Sequence, residues 1–163
     1  MDDAVMEFLD RRDAGRRLAP RLTWLAGECP IVIALLRGGV PVAFEVARAL
    51  GAPLDVLAVR KLGAPGNPEF GVGAIAEDGI AVLDTDTARR VGMTDEVWRA
   101  TVEREVRELR GGSRSSRDGR VPLDVRGRTV IVVDDGLATG LTDLAAVRAR
   151  GASDRGRGSG RRP

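Results

Sequence analysis

The segment "VIVVDDGLATGLTD", residues 130–143, joins four β-branched apolar residues to two adjacent aspartates, Asp134 and Asp135, and then to a loop of glycine, alanine and threonine. A short continuous apolar run is typical of a strand that is covered on both faces in a parallel sheet. In such sheets ligands bind where the strands end and loops lead into helices. We therefore predict that the two carboxylates lie at a ligand site.

The loop after the aspartates is predicted to bind a phosphate group. It leads into a helical pattern, so its backbone N–H groups and the helix dipole would face an anion, and two threonine hydroxyls add donors. The lysine of a nucleoside-triphosphate loop is missing. The residues of this predicted phosphate loop are Gly136, Leu137, Ala138, Thr139, Gly140, Leu141 and Thr142.

Two carboxylates next to a phosphate would repel it unless a group with hydroxyl donors lies between them. A ribose 5-phosphate has this arrangement, because its 2′ and 3′ hydroxyls can donate to carboxylates while its phosphate occupies the loop. The hypothesis from these residues alone is that Asp134 and Asp135 bind the diol of a ribose 5-phosphate.

A second strand signal lies nearer the N-terminus. The run "IVIALL", residues 31–36, is followed by Arg37, Gly38 and Gly39, by a helical pattern from Pro41, and by "LDVLAV", residues 54–59. A strand, a helix and a second strand in this order form a βαβ unit with parallel strands. The predicted fold class is α/β with a doubly wound parallel sheet.

The other segments give weaker signals. We predict a helix within residues 6–22, with Phe8, Leu9, Leu18 and Leu22 on its apolar side, and a small hairpin over residues 74–84. Residues 63–73 are rich in glycine and proline and read as irregular. A helix is predicted from Thr94 to about Arg110, followed by a polar loop over residues 111–120. Its apolar stripe consists of Trp98, Val102, Val106 and Leu109.

Composition limits the chemistry that the chain can use. The 163 residues include no histidine and one cysteine, Cys29, so imidazole catalysis, a disulfide within the chain and a cysteine-based zinc cluster are excluded. No apolar run approaches the roughly 18 residues of a membrane helix, and the N-terminus does not resemble a secretory signal. A cytoplasmic location is expected.

The sequence pI of about 9.4 does not indicate a nucleic-acid partner. Residues 151–163, "GASDRGRGSGRRP", carry four arginines and one aspartate, so the excess of positive charge lies in this segment. Aromatic residues make up only 3% of the chain, which leaves little to stack on bases. The segment is expected to be a disordered tail, and nucleic-acid binding is not expected.

The motif "VIVVDDGLATGLT" resembles the signature with which type I phosphoribosyltransferases bind 5-phosphoribosyl-1-pyrophosphate (PRPP). Residues 34–79 are similar to the matching section of predicted bacterial members of that family, and the resemblance covers residues 1 to about 150. It implies that Asp134 and Asp135 hold the ribose hydroxyls and that residues 136–142 hold the 5′-phosphate. It also implies that Arg37, Gly38 and Gly39, together with Arg60 and Lys61, contact the pyrophosphate.

The same resemblance implies a Mg²⁺-dependent transfer of ribose 5-phosphate to a nitrogenous acceptor, with release of pyrophosphate. Lys61, Asp134 and Asp135 are the catalytic candidates. Mg²⁺ would be held through PRPP, with the two aspartates as candidate ligands, and Asp135 or its neighbour would accept a proton. The sequence does not identify the acceptor, and it leaves a homodimer open.

The basic and glycine-rich segments also have simpler interpretations. Arg37–Gly39 could be only a tight turn, and Arg60 with Lys61 an ordinary charged strand end, whereas a dinucleotide motif at residues 71–76 is rejected because no helix follows it. Leu141 is larger than the residue that the family usually has there.

Because no strand signal follows residue 150, we expect residues 1–150 to form an incomplete phosphoribosyltransferase-like domain that lacks its C-terminal strands, from truncation or a frameshift. The alternative functions are therefore a PRPP- or nucleotide-binding regulatory protein without turnover and an inactive chain.

Overall fold

The computed structural model describes residues 7–116, 120–136, 142 and 144–148. The chain divides into two compact units. The first unit consists of Met1–Asp55 and Arg128–Gly136, and the second unit consists of Val56–Gly127 and Leu137–Pro163. Residues 151–163 lie outside the described residues, so the disordered tail stays a prediction.

The first unit is built on buried parallel strands. Strand β1, Ile31–Leu35, pairs in parallel with a strand at Val130–Val133, with Ile31 opposite Val130 and Ala34 opposite Val133. All five residues of β1 are at most 2% exposed. Helix α2, Gly39–Leu50, follows β1 and ends at Gly51, whose positive φ of 60° suits glycine. The short strand β2, Leu54–Leu57, completes a three-stranded sheet on the other side of β1. The predicted α/β fold with a parallel sheet is confirmed.

The N-terminal helix is shorter than predicted and buries a different face. Helix α1 runs from Arg11 to Leu18, and the Asp10 side chain caps it by accepting from Asp13 N at 2.7 Å. A 3₁₀ segment, Ala19–Glu28, follows α1 and includes the last four residues of the predicted helix. The apolar side predicted for Phe8 and Leu9 is wrong, since they are 49% and 88% exposed. Helix α1 packs instead through Gly15, where an added Cβ would lie 2.6 Å from Val42 O of α2.

The second unit has an antiparallel sheet with the order β3–β4–β5. Its strands are β3, Val59–Ala64, β4, Asn67–Ala76, and β5, Ala81–Leu83. The hairpin predicted over residues 74–84 is confirmed as β4–β5. The predicted strand 54–59 is instead divided between β2 and β3, and the stretch read as irregular forms the β3–β4 hairpin, which turns at Gly66 with a φ of 76°.

Helices complete the second unit. Helix α3, Thr85–Arg90, was not predicted, and α4, Asp95–Ser116, continues into the segment that was expected to be a loop. Leu109 of α4 is buried, as its stripe predicted. Residues 142 and 144–148 are helical, and Ala145 packs with Ala74 and Val82. No helix in the described part of the chain combines the length and apolar character needed to cross a membrane. The strand Val130–Val133 of the first unit is named β6.

Candidate functional site

The two predicted aspartates lie directly after β6 in the first unit. Val133, the last residue of β6, is buried, and the Asp135 side chain is 28% exposed. Asp135 N donates to Asp134 Oδ1 at 2.8 Å, which fixes the two residues relative to each other. Because β1 and β6 are parallel, the acids and the loop after β1 lie at the same edge of the sheet.

The loop after β1 contacts these acids closely, and its glycines are required by that contact. A Cβ added to Gly38 would overlap the Asp135 carboxylate, and one added to Gly39 would overlap Val133 O and lie 3.1 Å from Asp134 Cα. Arg37, which is exposed, follows a cis peptide bond after Leu36. The structure therefore brings Gly38 and Gly39 together with both acids, whereas their ligand contacts stay predictions.

Sequence reasoning missed Arg11, which also contacts the acids. Its Nε and Nη2 each lie 2.7 Å from Asp135 Oδ2, although 124 positions separate the two residues. The hydrogen bond from Arg11 is the main cause that holds the pKa of Asp135 below its ordinary value, despite the opposing effect of burial. No local motif marks Arg11, because the contact depends entirely on how α1 packs.

The acid pair suits a magnesium ion that arrives with a phosphorylated ligand. Among residues 7–116, 120–136, 142 and 144–148, no group of three or more acidic, histidine or cysteine side chains could hold a metal ion by itself. Mg²⁺ is usually bound through one or two carboxylates, with water and substrate phosphates completing its octahedral shell. Asp134 and Asp135 can supply those one or two carboxylates.

The predicted basic residues Arg60 and Lys61 lie on β3 in the second unit. Arg60 Nη1 lies 2.6 Å from Glu105 Oε2 and 2.6 Å from Glu108 Oε2, both on α4. Lys61 Nζ donates to Glu69 O at 3.1 Å. The hydrogen bond to Glu105, followed by that to Glu108, raises the pKa of Arg60. Arg60 is thus ion-paired with two carboxylates of α4.

Glu105 of α4 is mostly shielded from solvent beside Arg60. Its side chain is only 14% exposed and also pairs with Arg104 at 3.1 Å. Burial acts most strongly and pushes its pKa upward, but the hydrogen bonds from Arg60 and Arg104 together leave the pKa of Glu105 below its ordinary value. Glu105 and Glu108 have the i, i+3 spacing of one helix face, which was a usable sequence signal.

A groove of about 450 Å³ lies within the second unit, between the β3–β4 hairpin and α4. Arg60, Lys61, Arg104 and Glu105 line its polar part, and Val97 contributes to its apolar wall. Glu105 pairs with both Arg60 and Arg104, so part of the positive charge that lines this groove is offset.

Most of the predicted phosphate loop cannot be assigned from the structure. Gly136 is described and exposed, and Thr142 is helical and half-buried. The predictions for Leu137, Ala138, Thr139, Gly140 and Leu141 fall outside the described residues.

Comparisons with known proteins show the family to which the chain is similar. A family model described as "Phosphoribosyl transferase domain" matches residues 7–151. Two proteins named "Putative phosphoribosyl transferase", MT0597 and Rv0571c from two strains of Mycobacterium tuberculosis, are each 49% identical over 148 residues, which is 89% of this chain. The chain spans only 33% of the length of these relatives.

A solved structure is also similar. The crystal structure of TT1426 from Thermus thermophilus has 43% sequence identity and a TM-score of 0.66, covering 91% of this chain and 70% of that one. Together with the family match, this similarity confirms the family resemblance and the fold inferred from residues 34–79 and 130–142.

Proposed function

Because the chain belongs to the phosphoribosyl transferase domain family, we propose that it transfers the ribose 5-phosphate of PRPP to a nitrogenous acceptor and releases pyrophosphate. The observation that carries the proposal is the convergence of Asp134 and Asp135 with Gly38 and Gly39 at the end of the parallel strands. Carboxylates suit the hydroxyl donors of a sugar diol.

Each group has a separate role in this proposal. Asp134 and Asp135 accept hydrogen bonds from the ribose hydroxyls, and residues 136–142 bind the 5′-phosphate. The pyrophosphate lies against the backbone of Gly38 and Gly39, next to Arg37. Arg60 and Lys61 are assigned to the same pyrophosphate by the family resemblance.

The proposed reaction replaces the C1–oxygen bond to pyrophosphate with a C1–nitrogen bond to the acceptor. The bond from C1 to the pyrophosphate oxygen breaks, and the electron pair leaves with pyrophosphate while positive charge develops on the ribose. A bond from C1 to the acceptor nitrogen forms, and the proton lost from that nitrogen passes to Asp135 or Asp134. Arginine and lysine side chains stabilise the departing anion, so the reaction does not need histidine.

The acid pair fits the Mg²⁺ ion that the family uses. Asp134 and Asp135 would hold it together with oxygens of PRPP, without a third protein carboxylate from the described part of the chain. When bound, the ion supplies Lewis-acid stabilisation of the pyrophosphate.

Ligand-dependent stability tests the proposal directly. Thermal unfolding is measured with PRPP and MgCl₂, with each alone, and with neither. A ligand at 100 times its dissociation constant stabilises the folded chain by about 2.7 kcal/mol, so the midpoint should rise with both present. An unchanged midpoint at millimolar PRPP would reject the proposal.

Substitution of the acids shows whether they bind ribose. Asp134→Asn and Asp135→Asn should each weaken PRPP binding by roughly 1.5–3 kcal/mol, the contribution of a charge-assisted hydrogen bond. Asp86→Asn, on exposed α3, is the matched control and should bind like the parent. Inorganic phosphate should bind Asp134→Asn and Asp135→Asn no worse than the parent, because each substitution removes a carboxylate that repels phosphate. Equal losses for phosphate and PRPP would show that the aspartates only shape the loop.

Turnover separates the transferase from a PRPP-binding regulatory protein. Pyrophosphate release is measured after purine bases, pyrimidine bases or amines are added to the chain with PRPP and MgCl₂. Release that depends on one of these acceptors and on Asp135 supports transfer. PRPP binding without release for any acceptor favours the regulatory alternative.

A further inference from the structure

Arg11, the first residue of α1, donates one hydrogen bond from Nε to Asp135 Oδ2 and forms an ion pair with the same oxygen through Nη2. Both Nε and Nη2 lie 2.7 Å from Asp135 Oδ2, so the flat edge of the guanidinium grips this oxygen from one side. The Arg11 side chain is 61% exposed and that of Asp135 is 28% exposed. The Asp10 side chain caps helix α1 immediately before Arg11, so Arg11 is the first residue of the helix.

The Asp135 carboxylate is confined from a second direction by the loop after β1. A Cβ on Gly38 would overlap all three carboxylate atoms, so the carboxylate lies directly over the bare backbone of Gly38. Three elements, the start of α1, the loop before α2 and the end of β6, therefore determine its orientation. All three belong to the first unit.

We propose that Arg11 is a positioning residue that holds the Asp135 carboxylate over Gly38 in the orientation that binds the ribose diol. This inference rests on the proposed function. A carboxylate offers about four lone-pair sites, so the contacts of Arg11 with Oδ2 leave acceptor capacity for a ligand hydroxyl. A carboxylate that is already oriented in the free protein loses less conformational entropy when the ligand binds.

Two other roles for Arg11 predict different measurements. An arginine that contacts a ligand phosphate directly would contribute to affinity whether or not Asp135 is charged. An arginine that occupies the place of the ligand would compete with it, and its removal would tighten binding. A positioning residue weakens binding when it is removed and loses this effect when Asp135 can no longer serve as its partner.

The experiment measures the PRPP dissociation constant by calorimetry in the presence of MgCl₂. Arg11→Met should weaken binding roughly fivefold, near the upper limit for a partly exposed ion pair. Arg11→Lys should restore most of the affinity, because it keeps a charged donor. Arg12→Met removes the same charge from the adjacent exposed residue and should bind like the parent. Unfolding midpoints of the three variants without ligand should match the parent, since Arg11 is largely exposed.

A double-mutant cycle then tests the route through Asp135. Adding Arg11→Met to Asp135→Asn should cause no further loss of affinity. A further loss equal to that of the single variant would overturn the positioning role in favour of direct ligand contact. Equal or tighter binding by Arg11→Met would overturn it as well. If the parent does not bind PRPP, both the proposed function and this inference are rejected. If the parent binds PRPP and Arg11→Met has the same dissociation constant, only the inference is rejected.

Discussion

The two units place functional side chains in different ways. In the first unit, parallel strands bring the ends of β1 and β6 to one edge, so Gly38, Gly39, Asp134 and Asp135 come together through backbone topology. In the second unit, Arg60 is positioned by two carboxylates of α4 that lie 45 and 48 residues away. The positions of Asp134 and Asp135 therefore depend on strand packing, whereas the position of the Arg60 side chain depends on its ion pairs.

Core substitutions should have the largest effect and should test whether each unit has a packed interior. Ile33 of β1 and Ile75 of β4 are both 0% exposed. Ile33→Ala and Ile75→Ala should each lower the free energy of unfolding by about 2–5 kcal/mol, because both leave a cavity. Chemical denaturation measures the loss, and Leu9→Ala, at an 88% exposed position, should change stability by less than about 0.5 kcal/mol. If Ile75→Ala left the free energy of unfolding nearly unchanged, the second unit would lack a closed core and would differ from the first unit in this respect.

Glycine substitutions should show that the acid site depends on backbone proximity. An added Cβ at Gly39 meets backbone atoms of β6, which cannot move aside, so Gly39→Ala should cost about 1–3 kcal/mol of stability. At Gly38 the obstacle is the Asp135 side chain, so Gly38→Ala should affect PRPP binding more than stability. Gly27→Ala is the control, because nothing lies within 4 Å of its added Cβ. Denaturation curves that coincide for Gly39→Ala and Gly27→Ala would show that α2 does not press against β6.

The difference between the units also explains what the sequence could predict. Strands β1 and β6 and helix α2 follow from short apolar runs and a glycine turn, and these patterns are local. The β3–β4 hairpin was missed because glycine and proline usually interrupt strands, whereas here they accommodate an irregular register between Leu62 and Ala64. At Gly63 an added Cβ would overlap Pro68 O, so the glycine permits the close approach of the two strands.

The candidate site was predictable to the same extent. Asp134, Asp135, Gly38 and Gly39 follow strands, and parallel topology alone brings them together. Arg11 was not predictable, because only the packing of α1 brings it near Asp135. A chain with 26 lysines and arginines gives no local reason to choose one of them.

The smallest predicted effect concerns the ion pairs of Arg60, and it tests the comparison from the second unit. Side-chain exposure is 44% for Arg60, 14% for Glu105 and 54% for Glu108, so solvent screens the Glu108 pair more strongly. Double-mutant cycles should give a coupling of up to about 1 kcal/mol for Arg60 with Glu105 and less for Arg60 with Glu108. The variants are Arg60→Met, Glu105→Gln and Glu108→Gln, with free energies from urea denaturation.

Salt and pH distinguish these two pairs further. Added NaCl should reduce the Glu108 coupling first, because its charges are the more exposed. The pKa of Glu105 is lowered in the folded chain, so its contribution is present above the ordinary glutamate pKa of about 4.3 and is lost as the pH falls through the lowered value. Denaturation of the parent and of Glu105→Gln from pH 7 downward should therefore show a stability difference that shrinks only in the acidic range. A difference that disappeared well above that range would contradict the pairing of Glu105 with Arg60, and among these two pairs only that of Arg60 with Glu108 would then join β3 to α4.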